Sequence, residues 1–131
     1  MSLSAAITAR LKTVSGLNDK VFPDVAPSGI SYPFCVYKMQ NVERFYCLDG
    51  STNGLPIAIY SVMFFGTNRI LLEGIAVEAG NLFNGYRGTI SGTQIASSVW
   101  NNQETNDVFV EGNEILVYSY TNSHLIQFVE E

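Results

Sequence analysis

The residues able to carry covalent chemistry in this chain are few: one histidine, His124, and two cysteines, Cys35 and Cys47. A thiol becomes a nucleophile when a nearby imidazole takes its proton, so a small thiol hydrolase using Cys35 or Cys47 with His124 is one reading to test. No cysteine-protease signature surrounds either thiol, and no Gly-x-Ser-x-Gly elbow is present. Neither a phosphate-binding loop nor a dinucleotide fingerprint occurs. The glycine-rich stretch 85–92 follows a helical pattern instead of opening one, so its N–H groups lack the helix start that phosphate cradles use. For metals there is no Cys-x-x-Cys and no histidine pair, and Asp107, Glu111 and Glu114 lack the alternation of a calcium loop. No catalytic residue, no cofactor and no metal ligand is expected. Cys35, Cys47 and His124 read as structural, and the acidic trio as a solvated turn.

The elements that would position any site follow from the apolar spacing. Leu3, Ile7, Leu11 and Val14 recur every three to four residues, the mark of an amphipathic helix, and Gly16 is placed to end it. Pro23, Pro27 and Pro33 then forbid helix and predict an extended arm with one brief strand. Residues 34–44 read as a strand with Cys35, Tyr37 and Met39 on one face and Lys38 and Gln40 on the other. A connection over 46–54 carries the turn dipeptides Asp49-Gly50 and Asn53-Gly54. The next strand, 56–65, is apolar on both faces, which calls for a cover on each side: a helix layer, and something else such as another subunit.

A second helix is predicted from Thr67 or Asn68 to about Asn84, with Leu71, Ile75, Ala79 and Leu82 as its buried stripe. Gly74 and Gly80 inside it each cost ~1 kcal/mol relative to alanine, and close packing on the sheet would explain both. The last third reads as strands at 88–100, 107–110 and 114–128, joined by polar turns at 101–106 and 111–113. The expected fold class is α+β. It has a single mainly antiparallel β-sheet with two helices on one face, an extended N-terminal proline-containing arm and a β-hairpin loop, as one domain over 1–131.

Composition narrows the function. The 131 residues are 47% apolar and 12% aromatic, which excludes disorder. Only 15% are charged, against about 25% in average soluble domains, a depletion that suits burial against other subunits. The net charge is −5 and the cations are scattered, so specific nucleic-acid binding is not expected. No apolar run approaches the ~20 residues of a membrane helix, and the first eleven residues show no signal-peptide pattern.

One combination of motifs goes further. Lys20-Val-Phe-Pro-Asp-Val-Ala-Pro-Ser-Gly29 is followed by Tyr32-Pro-Phe-Cys-Val-Tyr37, by Glu43-Arg44 and by Leu48-Asp49-Gly50. In this order, after an N-terminal helix, they resemble the tail completion, or tail terminator, family of long-tailed bacteriophages. The likeness runs from about Leu3 to Leu82. Phe22 and Phe34 stand where tyrosine is more usual, and strand 56–65 lacks the family's glutamine and acidic residue. The resemblance implies a structural virion protein forming a hexameric ring that ends tail-tube polymerisation and joins the tail to the head. Its partners would be further copies of itself, the tail tube protein, the head–tail connector or stopper protein, and the tape measure protein. DNA could pass through the lumen without specific binding. The implied location is the head-proximal end of the tail, after assembly in the bacterial host cytoplasm. Another ring component, head-side connector or tail tube subunit, is the alternative. The candidate assembly residues are Phe22, Pro23, Asp24, Pro27 and Tyr32 of the arm, with Tyr46, Leu48, Asp49, Gly50 and Asn53 of the loop, the latter facing tube or connector.

Overall fold

A computed structural model describes residues 3–17, 19–51, 54–105, 109–111 and 115–129. Helix α1 (Leu3–Leu11) buries Leu3, Ala6, Ile7 and Leu11, and the turn after it keeps Val14 and Leu17 in the core. Strand β1 (Val21–Pro23) pairs in parallel with β2 (Phe34–Glu43), and 24–33 makes the crossover between them. Then come β3 (Ile57–Gly66), α2 (Arg69–Phe83), β4 (Gly88–Ile90), β5 (Thr93–Thr105), β6 (Phe109–Glu111) and β7 (Ile115–Phe128). The sheet order is β1-β2-β3-β7-β5-β4, with β6 pairing the first residues of β7. Every pair except β1–β2 is antiparallel. Both helices pack on one face, so the α+β class and the mainly antiparallel sheet are as expected.

Several local expectations need correction. The strand expected over 88–100 is a hairpin: Ser91 and Gly92 both take positive φ (49° and 84°), the conformation of a two-residue turn whose twist matches paired strands. The polar turn expected over 101–106 continues β5 to Thr105, because pairing with β7 satisfies the backbone while polar side chains suit an edge strand. In β2 Met39 shares the face of Cys35 and Tyr37 as expected, in register with Tyr60, yet stands 49% exposed, and the register shifts between Met39 and Asn41. Val42, beyond the bulge, packs on the core in its place.

Helix α2 begins as predicted, with the Asn68 side chain accepting from the Leu71 N–H at 3.2 Å. Of its predicted stripe, Ile75 and Ala79 are buried and Leu82 packs partly on the core, but Leu72 takes the place of Leu71. The buried stripe is Leu72, Ile75, Ala76, Ala79, Gly80 and Phe83, while Ile70 (82% exposed) and Leu71 (53%) face outward. The two helix glycines also part company. A Cβ on Gly80 would lie 2.5 Å from the Trp100 ring, so close packing explains it. A Cβ on Gly74 would meet nothing within 4 Å among the described residues, so none of them requires that glycine.

The helices are tied together at the far end of α2. Arg10 on α1 donates from Nε (3.0 Å) and from a terminal guanidinium nitrogen (2.7 Å) to the Leu82 carbonyl, and lies 3.7 Å over the Tyr86 ring. A cation on the last carbonyls of a helix also complements its dipole. Arg10→Ala is expected to lower stability by about 2 kcal/mol, read from urea unfolding midpoints. Arg10→Lys recovers only part of this, since lysine cannot make the paired contact.

Candidate assembly interface

The residues singled out in the sequence fall into two groups at opposite ends of the β2–β3 pair. At one end, Phe22 meets Phe34 edge-on (6.5 Å between centroids), Tyr32 stacks on Phe34 (5.4 Å), and Phe34 stacks on Phe65 (5.2 Å). Phe22 and Tyr32 therefore belong to one half-buried aromatic cluster. Pro23 and Asp24 are exposed, and the Asp24 N–H donates to the Tyr37 carbonyl at 2.9 Å. Pro27 is exposed on the crossover. At the other end, ten residues of β3 away and roughly 30 Å at the rise of a strand, lies the 44–56 connection. The Cys47 N–H donates to the Ser51 carbonyl (2.7 Å) and the Gly50 N–H to the Cys47 carbonyl (2.9 Å). The Asp49 carboxylate accepts from the Ser51 N–H and hydroxyl, which holds its pKa below the usual carboxylate value. This pinned turn presents Leu48 wholly exposed (110%) beside Tyr46 (58%) and Phe45 (40%). Asn53, Asp107 and Glu114 lie outside the described residues.

Between the two ends runs the sheet face without helices. On β3, Ala58, Tyr60, Val62 and Phe64 point under the helices and are buried, whereas Ile57, Ile59, Met63 and Phe65 point the other way and are half-buried. Register continues this second face through Leu125 of β7 and Val99 of β5. Strand β3 thus has the two apolar faces its sequence announced, and α1 and α2 cover one of them. The outward residues of α2 (Ile70, Leu71 and Val77) are the surface that sequence phase missed, because Leu71 and Leu72 fit a helical stripe equally well.

The thiols and the imidazole do not form a site. Cys35 pairs in register with Phe64 on β3, and His124 of β7 with Tyr60, two strands over and four residues along. That separation is roughly 10 Å across and 13 Å along the sheet. Burial pushes the Cys35 thiol up to about 12, so it stays protonated. His124 is sealed against Phe83 (5.2 Å between rings) in a dry gap lined by Ile7, Tyr60, Val62 and Ile126, out of reach of the exposed Cys47. Among the described residues, no three His, Cys, Asp or Glu side chains gather as a metal site would require. The hydrolase reading therefore fails on geometry. Cys47 is expected to alkylate in the folded protein and Cys35 only after unfolding, as mass spectrometry of each peptide would show.

Burial also moves His124 down, to about 4. The unfolded chain protonates near 6.5 while the folded one does not, so stability falls as pH drops from about 6.5 towards 4. This linkage is worth about 3 kcal/mol in all. Nδ1 of His124 has no hydrogen-bond partner among the described residues. His124→Leu is accordingly expected to flatten the pH dependence in that window without loss of stability at neutral pH, measured by urea titration at each pH.

No family model matches the sequence, and no curated protein matches it. Among solved structures, a chain from one described as the virion of native gene transfer agent (GTA) particle superposes with a TM-score of 0.70. The identity is 10%, and the match covers 98% of this chain and 96% of that one. The two chains share one fold. At this identity the likeness concerns architecture, and it extends over β4–β7, the third of the chain in which the motifs of the sequence give no guidance.

Proposed function

We propose that the chain is a structural protein of a phage-type virion, without catalytic activity, that assembles with further copies of itself into a hexameric ring on the end of a tail tube. The observation that carries the reading is the end-to-end fold likeness to a chain of the gene transfer agent virion. The order of arm, strand and loop motifs supports the finer assignment, a ring that terminates the tail and joins it to the head. Three surface features agree with assembly: the uncovered apolar face of β3, the outward apolar residues of α2, and the pinned turn presenting Leu48. The ring would contact the tail tube protein on one side and the head connector on the other, at the head-proximal end of the tail.

Deletion of the gene separates the candidate roles. A terminator predicts tails of uncontrolled length that do not join heads, restored to length and joining by purified protein. Tails of normal length beside unjoined heads would point to a head-side connector. The absence of any tail would point to a tube subunit.

A further inference from the structure

Beside the outward face of α2 lies an open groove of about 430 Å³. Ile70 and Leu71 form its wall, and Gly16 and Gly74, which lack side chains, leave its floor low. The polar groups at its edge are already engaged: the Ser15 N–H and hydroxyl donate to the Glu78 carboxylate at 3.0 and 3.1 Å. A polar ligand would find little to bond there, whereas apolar side chains would fit. A glycine inside a helix is destabilising relative to alanine, and a Cβ on Gly74 would meet nothing within 4 Å among the described residues. Close approach by another molecule would account for the glycine.

The same chain carries an apolar projection. Leu48 stands at the tip of the turn closed by Cys47 and Ser51, already held in shape, so little ordering entropy opposes docking. Projection and groove cannot meet within one molecule, because 44–56 leads into β3 and α2 starts beyond its far end, roughly 30 Å away. Their areas suit each other. Ile70 and Leu71 on one side and Phe45, Tyr46 and Leu48 on the other expose between 40% and 110% of their surfaces. At roughly 175 Å² for a full large side chain, that is on the order of 600 Å² of apolar surface. A standard interface of ~1,600 Å² carries roughly 900 Å² of apolar surface, so this one contact would supply most of it.

We infer that the Leu48 turn of one copy docks in the α2 groove of the next, making the head-to-tail contact between copies of this chain. A contact of this kind joins unlike surfaces and closes into a ring when the rotation allows. The inference rests on the ring reading above and gives the loop a different partner from the tube or connector.

Native Cys47, next to Leu48 and exposed, makes the contact testable, since Cys35 is buried. Ile70→Cys and, separately, Leu71→Cys are introduced into the full chain and oxidised mildly, alone and with tail tubes from the same source. A disulfide needs Cα atoms about 4.4–6.8 Å apart, so an intermolecular bond from Cys47 to either new cysteine reports this juxtaposition. The expected result is a ladder of cross-linked copies that Cys47→Ser abolishes. Rings without a cross-link from either position overturn the contact and leave the ring reading standing. Neither rings nor cross-links, with or without tubes, overturns both. A ladder of open chains supports the contact and overturns the closed ring.

Discussion

Gly80→Ala is expected to destabilise the fold by about 3 kcal/mol. The added Cβ would lie 2.5–2.6 Å from three atoms of the Trp100 ring, closer than real contacts allow, so helix or ring must shift. The ring has little freedom to do so. Its indole N–H donates to the Asn102 carbonyl at 3.0 Å, and the Trp100 backbone N–H donates to the Asn84 side chain at 3.2 Å. Strand β5 is thereby fastened to the end of α2, and Gly85 adds a bond from its N–H to the Ser98 carbonyl at 2.7 Å. Trp100→Ala leaves a gap into which the Cβ fits, so the double variant is expected to be less destabilised than the sum of the singles. Urea unfolding of the four proteins measures this. A Gly80→Ala cost below about 0.5 kcal/mol, the range of ordinary surface changes, would show that α2 and β5 are not packed as described.

The second large effect falls on assembly and spares the fold. Leu48→Asp is expected to leave stability within about 0.5 kcal/mol of wild type, because the side chain is wholly exposed and touches no core residue. Yield of functional particles should nevertheless drop by a factor of 100 or more, since a buried carboxylate without a partner costs several kcal/mol at each contact and the ring repeats the contact. Leu48→Met, which keeps an apolar side chain of similar volume, should restore most of the yield. The pair of measurements is a denaturation midpoint and a count of complete particles. Normal yield from Leu48→Asp would remove the loop from the assembly surface.

How much of this was legible in the sequence varies with the element. The helix α1 stripe, the Asn68 cap, the two-faced strand β3 and the alternation of β7 from Tyr118 to Phe128 were readable because each follows one period without competition. The first turn of α2 was not: Ile70, Leu71 and Leu72 are consecutive apolar residues, and only the position of the sheet decides which is buried. The bulge beside Gln40, which brings Val42 onto the face of Met39, depends on pairing with β3 and leaves no local mark. The Ser91-Gly92 turn did leave one, a Ser-Gly dipeptide, hidden in a run otherwise read as a single strand. As for the candidate assembly residues, Pro23, Asp24, Pro27, Tyr46, Leu48, Asp49 and Gly50 are exposed, whereas Phe22 and Tyr32 are half-buried in an aromatic cluster. That arm and loop stand at opposite ends of the β2–β3 pair is a fact of topology, invisible in a linear chain. The groove on α2 was hidden by the same phase ambiguity.

On the proposed reading, this chain forms a closed ring at the end of a tail tube. Negative-stain electron microscopy of the purified protein mixed with tail tubes from the same source addresses it most directly. Closed rings seated on one end of each tube, with none along its length, are expected. Long tubes built from the protein itself, or tube ends left bare at saturating protein, would contradict it.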